Sequence, residues 1–118
     1  MARKTLIDLK LETLKEWEKY YKNTRFYLEK IKAIVKKHDE SAKIILFGSQ
    51  VKGTMKPDSD IDVLIVSKLA KKQGDRLKIR IEIAKEIGDS TPFEIHIVTQ
   101  EEYEKWYKKF IDKYYIEI

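Results

Sequence analysis

Three short apolar runs, separated by longer segments of helical periodicity, limit the fold of this chain more than any other feature of its sequence. Each run is five or six residues long, which suits a strand and is too short for an ordinary helix. The runs cover residues 43–47, 61–66 and 93–98. The helical segments cover residues 6–37, 71–87 and 99–114. This order predicts an α/β or α+β fold, with a small mixed sheet of about three strands covered by helices.

The first helical segment is interpreted as two helices, because its apolar stripe weakens at residues 22–25. Asn23 or Thr24 is expected to cap the second helix. A continuous coiled coil is the competing interpretation, and it requires Lys10 and Thr24 at core positions.

A second ambiguity concerns residues 77–83, where apolar and charged side chains alternate as they do in a strand. Leu77, Ile81 and Ala84 also share one stripe of a helix, with Ile83 and Ile87 beside it, and Gly88 stands where a helix would end. The sequence therefore predicts one helix over residues 71–87.

Composition excludes several classes of protein. The 118 residues suit one domain over residues 1–118. With no cysteine and two histidines, the chain cannot form disulfides, a thiolate metal site or a cysteine nucleophile. A net charge of +5 is weak support for nucleic-acid binding, which stays undecided. Because no apolar stretch reaches membrane length and the first residues do not resemble a signal peptide, we expect a cytoplasmic protein outside the membrane.

The residues that carry the most chemistry follow the first two predicted strands. Gly48 lets an anion approach the backbone, and Ser49 adds a hydroxyl and a main-chain N–H. Asp60 and Asp62 stand two residues apart, so their carboxylates leave one face about 6 to 7 Å apart at the backbone. Such carboxylates repel each other unless a cation lies between them, and Mg²⁺ prefers oxygen ligands. The alternative is a polar strand start with solvated acids.

The pattern Gly48-Ser49, ten further residues and Asp60-Ile61-Asp62 before an apolar strand resembles the signature of DNA polymerase β-type nucleotidyltransferases. The short chain resembles the minimal members of that superfamily. The resemblance implies that Gly48 and Ser49 hold the phosphates of ATP or another nucleoside triphosphate. It also implies that Asp60 and Asp62 bind Mg²⁺ or Mn²⁺ and are catalytic.

By the same resemblance, residues 1–38 would be N-terminal helices, residues 43–98 a catalytic core and residues 99–114 a C-terminal helix. The implied reaction moves a nucleoside monophosphate, AMP from ATP, onto a hydroxyl acceptor. The resemblance further suggests a HEPN-type protein partner, so that this chain would be an antitoxin that modifies a toxin. The alternative is a binding module without catalysis, which neutralises a partner by contact.

Two positions depart from the pattern of the superfamily. Many relatives have Arg before the second glycine, where this chain has Lys52; a lysine keeps the positive charge and loses the planar fork. The third acidic ligand comes from the last strand, which here offers both Glu94 and His96. Glu94 is preferred, because Mg²⁺ favours oxygen over imidazole, and His96 would then orient the acceptor. The spacing along one strand face suggests that only one of the two lies level with Asp60 and Asp62. The resemblance leaves the alternative open that the spacing from Pro92 places His96 at the acidic position.

Two aromatic or apolar stripes on helices are ascribed to packing. The C-terminal stripe could stack nucleic-acid bases, but a core or a subunit interface is the preferred interpretation. It contains Tyr103, Trp106, Tyr107 and Phe110. The N-terminal stripe exceeds what a three-stranded sheet covers, so a homodimer is expected. It contains Leu14, Trp17, Tyr21 and Leu28.

Overall fold

The computed structural model describes residues 4–53, 56, 59–111 and 114–118, except for the side chain of Phe110. The helices are α1 (Leu6–Lys22), α2 (Thr24–His38), α3 (Ser49–Lys52) and α4 (Gln73–Ile87), the last preceded by a 3₁₀ helix (Lys68–Lys71). The C-terminal helix consists of α5 (Gln100–Glu102), a π-helical turn (Tyr103–Tyr107) and α6 (Lys108–Ile111). The strands are β1 (Lys43–Phe47), β2 (Ile61–Val66), β3 (Phe93–Val98) and β4 (Tyr115–Glu117).

The strands form one mixed sheet in the order β3-β2-β1-β4. β1 is antiparallel to both β2 and β4, whereas β2 and β3 are parallel and are connected through α4. The predicted fold class and the first three strands are confirmed. The predicted number of strands is wrong, because β4 adds a fourth. This strand has three exposed residues, too few for a periodic pattern, and its pairing with the backbone of β1 defines it.

The break between the two N-terminal helices is confirmed at Asn23, which excludes the continuous coiled coil. Asn23 occupies the N-cap position of α2, as predicted, but its side chain makes no capping hydrogen bond to this helix. Instead, Asn23 Nδ2 donates to the carbonyl of Lys19 (2.9 Å), and Thr24 Oγ1 donates to that of Tyr20 (3.0 Å). Both side chains therefore satisfy carbonyls at the end of α1 rather than N–H groups at the start of α2.

The ambiguous segment is helical, as predicted, and forms part of α4. Its buried stripe is Ile79, Ile83 and Ile87, one residue every turn, while Leu77 and Ile81 are exposed. The stripe chosen from the sequence to support the helix is therefore not the one that faces the core.

The two faces of the sheet are covered to different extents. On one face, side chains of α1, α2 and α4 form the main core with the sheet; it includes Tyr20, Leu28, Ile31, Val35, Val63, Ile65, Ile79 and Ile83. On the other face, the C-terminal helix covers a smaller cluster made of Ile45, Phe47, Leu64, Val66, Val98 and Ile111, with Tyr103 and Tyr107 packed against it. This helix leaves one end of the second face open.

Candidate nucleotide and metal site

A cavity of about 680 Å³ lies at the open end of the second sheet face. That volume falls within the range of small-molecule sites. Its lining, here called the site cavity, consists of Phe47, Gly48, Lys52, Asp62, Glu94, His96, Trp106, Tyr107 and Ile111. Five of the predicted site residues are thus brought together, with charged groups on the sheet and apolar groups on the C-terminal helix.

Three side chains of the site cavity lie close enough to share one ligand. The parallel register pairs Asp62 with Glu94 and Leu64 with His96, so all of these side chains leave the same face. The carboxylate oxygens of Asp62 and Glu94 and a ring nitrogen of His96 lie within 4.8 Å of one another. Glu94 is level with Asp62 as expected. His96 is level with Leu64 instead, yet a ring nitrogen of its imidazole still comes close to both carboxylates.

Gly48 is required at its position by its backbone conformation and by its neighbour. Its φ of +85° is one that other residues rarely adopt. A Cβ atom at this position would also overlap the carboxylate of Asp62. The backbone of the turn after β1 therefore lies directly against the carboxylate of Asp62 on β2.

The electrostatics of the site cavity disfavour the charged form of Asp62. Partial burial and then repulsion from Glu94 raise the pKa of Asp62. The positive charge of His96 acts in the opposite direction, and repulsion from Asp60 adds to the increase. A bound cation would therefore stabilise the ionised form of Asp62.

Asp60 lies apart from the cluster, just before β2. It is exposed and lines a separate groove beside α1, together with Lys10, Leu14 and Trp17 among others. Among the described residues, the group with mutually close ligand atoms contains Asp62 and not Asp60. The joint role of the two aspartates therefore stays a prediction.

The phosphate-binding residues expected from the sequence lie on α3 and the turn before it. Gly48 and Lys52 line the site cavity, and Ser49 is the first residue of α3 between them. The amide of Lys52 donates to the carbonyl of Gly48 (3.1 Å), which closes the turn. Lys52 Nζ lies 5.9 Å from the ring centroid of Tyr114. The expected loop beyond this turn includes residues 54, 55, 57 and 58, which lie outside the described residues.

His96 is held by aromatic rings that sequence reasoning did not assign to the site. Its ring centroid lies 5.9 Å from that of Phe47 and 5.8 Å from that of Tyr107. Its Nε2 lies 3.7 Å from Oε1 of Glu94. The aromatic spacing after β3 gave a signal for Trp106 and Tyr107, but periodicity alone could not tell that this helix crosses the end of the sheet next to β3.

Comparison with known proteins connects this geometry to a family. Residues 28–118, well over half of the chain, match the nucleotidyltransferase domain family. The chain belongs to the nucleotidyltransferases. The match includes every predicted site residue and the whole sheet, and α1 precedes it.

Two relatives agree with this membership. Spectinomycin 9-adenylyltransferase from Enterococcus faecalis is 37% identical over 95 residues, which cover 73% of this chain and 37% of that protein. The chain thus spans little more than a third of the length of this relative. A crystal structure described as a nucleotidyltransferase superimposes with a TM-score of 0.64 at 40% identity, over 76% of this chain and 95% of that one.

Among the described residues, no helix combines the length and the apolar character that crossing a membrane requires.

Proposed function

We propose that this chain transfers a nucleoside monophosphate, AMP from ATP, to a hydroxyl acceptor in the site cavity, with Mg²⁺ or Mn²⁺ as cofactor. The observation that carries the proposal is the cluster of Asp62, Glu94 and His96 beside the turn at Gly48. The name of the adenylyltransferase relative supports AMP as the transferred group.

The donor set suits a hard divalent cation. Asp62 and Glu94 offer carboxylate oxygens, and the raised pKa of Asp62 reflects burial and then repulsion from Glu94, both of which a bound cation would offset. We assign Asp60 as a further carboxylate ligand, because its charge already acts on Asp62. When bound, the cation supplies charge neutralisation at the phosphates and activates the acceptor hydroxyl.

The residues of the chain then have separate roles in the transfer. The backbone at Gly48 and Ser49 and the ammonium of Lys52 hold the triphosphate. The acceptor oxygen forms a bond to the α-phosphorus while the bond from that phosphorus to pyrophosphate breaks. Pyrophosphate leaves with the electron pair, and the hydroxyl proton passes to solvent. His96 orients the acceptor hydroxyl, since its ring is fixed beside Glu94.

We further propose that the acceptor hydroxyl belongs to a partner protein, of HEPN type by the resemblance, which makes this chain an antitoxin. The supporting feature is the first half of α1, which exposes Leu6, Ile7, Leu9 and Leu11. The groove of Asp60 continues from this surface toward the sheet. A second copy of the chain is the other candidate occupant. Leu28 does not contribute to either, because it is buried in the main core, and Trp17 and Tyr21 pack against that core.

Binding of Mg²⁺ and ATP tests the cofactor and substrate assignments. The wild-type protein is expected to melt at a higher temperature with both ligands than without them, because they bind the folded state. Asp60→Asn and Asp62→Asn should fold and lose most of this shift. Asp89→Asn, at an exposed turn away from the site cavity, should keep it. Equal metal-dependent shifts in all four proteins contradict the proposal.

Light scattering and partner capture test the acceptor assignment. Ile7→Glu with Leu11→Glu should abolish assembly with the partner or with a second copy, while Leu77→Glu, equally exposed on α4, should not. A mass of 14.1 kDa for the wild type at micromolar concentration, unchanged by any partner, contradicts docking on α1. Neutralisation that survives Asp62→Asn would instead support a binding module without catalysis.

A further inference from the structure

Trp106 differs from Tyr103 and Tyr107 of the same helix in having no place in the core. Its side chain is 66% exposed, whereas Tyr103 and Tyr107 pack against the smaller cluster. It nevertheless lines the site cavity beside Tyr107. A single exposed apolar side chain is ordinary, but this indole lies at the rim of the site cavity and continues an apolar surface with Tyr107 and Ile111, which gives it a place where a ligand can contact it.

The backbone explains how the indole comes to lie there. Residues Tyr103–Tyr107 form a π-helical turn between the α-helical segments α5 and α6. The wider turn keeps Tyr103 and Tyr107 on the face that packs against the sheet and leaves Trp106 at the rim. Such π-turns inside α-helices are frequent at functional sites.

The site cavity has two chemically different walls. Asp62, Glu94 and Lys52 form a charged wall that suits phosphates and cations. Trp106, Tyr107 and Ile111 form an apolar wall, which begins where the ring of Tyr107 lies 5.8 Å from that of His96. A ligand that fills both must be polyanionic at one end and flat and apolar at the other.

We infer that Trp106 stacks on the nucleobase of the bound nucleoside triphosphate, an inference that rests on the proposed function. Stacking on an indole is tolerant of base identity because every base has a π face. It depends on the area of contact, so purine nucleotides bind more tightly than pyrimidine nucleotides. Trp106 thereby sets a preference for purines without distinguishing adenine from guanine.

Two probes separate base stacking from phosphate binding. One is the α,β-methylene analogue of ATP, which cannot transfer its nucleotide; the other is tripolyphosphate, which has no base. With Mg²⁺ present, calorimetry should show that Trp106→Ala weakens binding of the analogue on the order of tenfold. Binding of tripolyphosphate should not change. Trp106→Phe, which keeps a smaller ring, should retain most of the affinity.

Fluorescence gives a second measurement, because the chain has two tryptophans. Trp17→Phe leaves Trp106 as the single reporter, whose emission the analogue should quench and tripolyphosphate should not. Trp106→Phe leaves Trp17, whose Nε1 donates to the carbonyl of Ser90 (3.2 Å), and its emission should not respond.

The outcomes distinguish this inference from the function on which it rests. If the wild type binds both probes and Trp106→Ala binds the analogue equally well, the inference is wrong and the proposed function stands. Loss of tripolyphosphate binding in Trp106→Ala would also overturn it, because the residue would then act on the phosphates or the fold. If the wild type binds neither probe, the proposed function fails and the inference fails with it.

Discussion

Asp39 and Asp62 are aspartates near opposite ends of the sheet, and their surroundings differ in every respect that matters for function. Asp39 is almost fully buried, and both of its oxygens accept hydrogen bonds. Ser41 donates to Oδ1 from its amide (3.1 Å) and its hydroxyl (2.6 Å). The hydroxyl of Ser67 (2.7 Å) and the amide of Lys68 (3.2 Å) donate to Oδ2. Protein donors thus satisfy both oxygens of this carboxylate, and it needs no bound cation.

The two pKa shifts have opposite directions. Burial alone would raise the pKa of Asp39, but the hydrogen bonds from Ser41, Ser67 and Lys68 outweigh burial and lower it. Burial and repulsion from Glu94 raise the pKa of Asp62. A carboxylate that the fold stabilises as an anion is structural, whereas one that the fold leaves repelled is suited to a cation. The comparison predicts that the two residues fail in different ways when they are neutralised.

The largest expected effect is on transfer by Asp62→Asn. Without this carboxylate the proposed cation site loses its half-buried ligand, and transfer from labelled ATP should be abolished, since removal of even an outer-shell partner of a metal ligand costs about 10- to 100-fold. The free energy of unfolding of the metal-free protein should stay the same or increase, because repulsion with Glu94 is relieved. A variant that transfers normally, or that unfolds, contradicts this assignment of Asp62.

The next effect distinguishes Glu94 from His96. Glu94→Gln removes the oxygen ligand that lies level with Asp62 and should abolish transfer. His96→Asn should only slow it, since its proposed role is to orient the acceptor. The labelled-ATP assay measures both variants against Asp89→Asn. The reverse ranking would assign the third ligand to His96, and full activity in both would mean that β3 supplies no ligand.

A smaller effect, on stability rather than activity, is expected for Asp39→Asn. The asparagine side chain has an NH₂ group in place of one carboxylate oxygen, so the two donors that faced this oxygen lose their acceptor. Leaving buried donors unsatisfied should lower the free energy of unfolding by about 2–3 kcal/mol. At temperatures where Asp39→Asn is still folded, this variant should bind Mg²⁺ and ATP as the wild type does. Urea unfolding measures the cost, with Glu40→Gln, exposed on the same loop, as its control. Equal stability of Asp39→Asn and Glu40→Gln would contradict the structural role of Asp39.

Local patterns in the sequence predicted the strands and the central acidic residues. The runs at 43–47, 61–66 and 93–98 form strands with these bounds, because burial on both faces makes strands continuously apolar. Asp62 interrupts one such run and Glu94 another, and the shared register places them side by side. The strands needed only local patterns, whereas Glu94 was identified as a site residue through the resemblance to the superfamily, because the sequence did not show that β2 and β3 are parallel neighbours.

Features that depend on distant packing could not be predicted in this way. β4 exists only through its pairing with β1, and Asp39 gains its role only when residues 67 and 68 fold against it. The choice of Ile79 rather than Leu77 for the core depends on how α4 sits on the sheet. That Tyr107 faces the smaller cluster and its neighbour Trp106 the rim of the site cavity depends on how the C-terminal helix, with its π-helical turn, lies on the sheet.

The smallest effect is the pH dependence of stability, which tests both aspartates in one experiment. The folded pKa of Asp39 lies below the usual 3.8, so its anion stabilises the fold above that pH and the contribution is lost as the pH falls through the folded value. The folded pKa of Asp62 lies above 3.8, so its contribution is present in acid and is lost as the pH rises through the folded value. In EDTA, urea unfolding of Asp62→Asn should therefore show a gain over the wild type at pH 7 that shrinks toward pH 3. Asp39→Asn should show a deficit that also shrinks in acid, and curves for either variant that run parallel to the wild type would contradict the contrast between the two carboxylates.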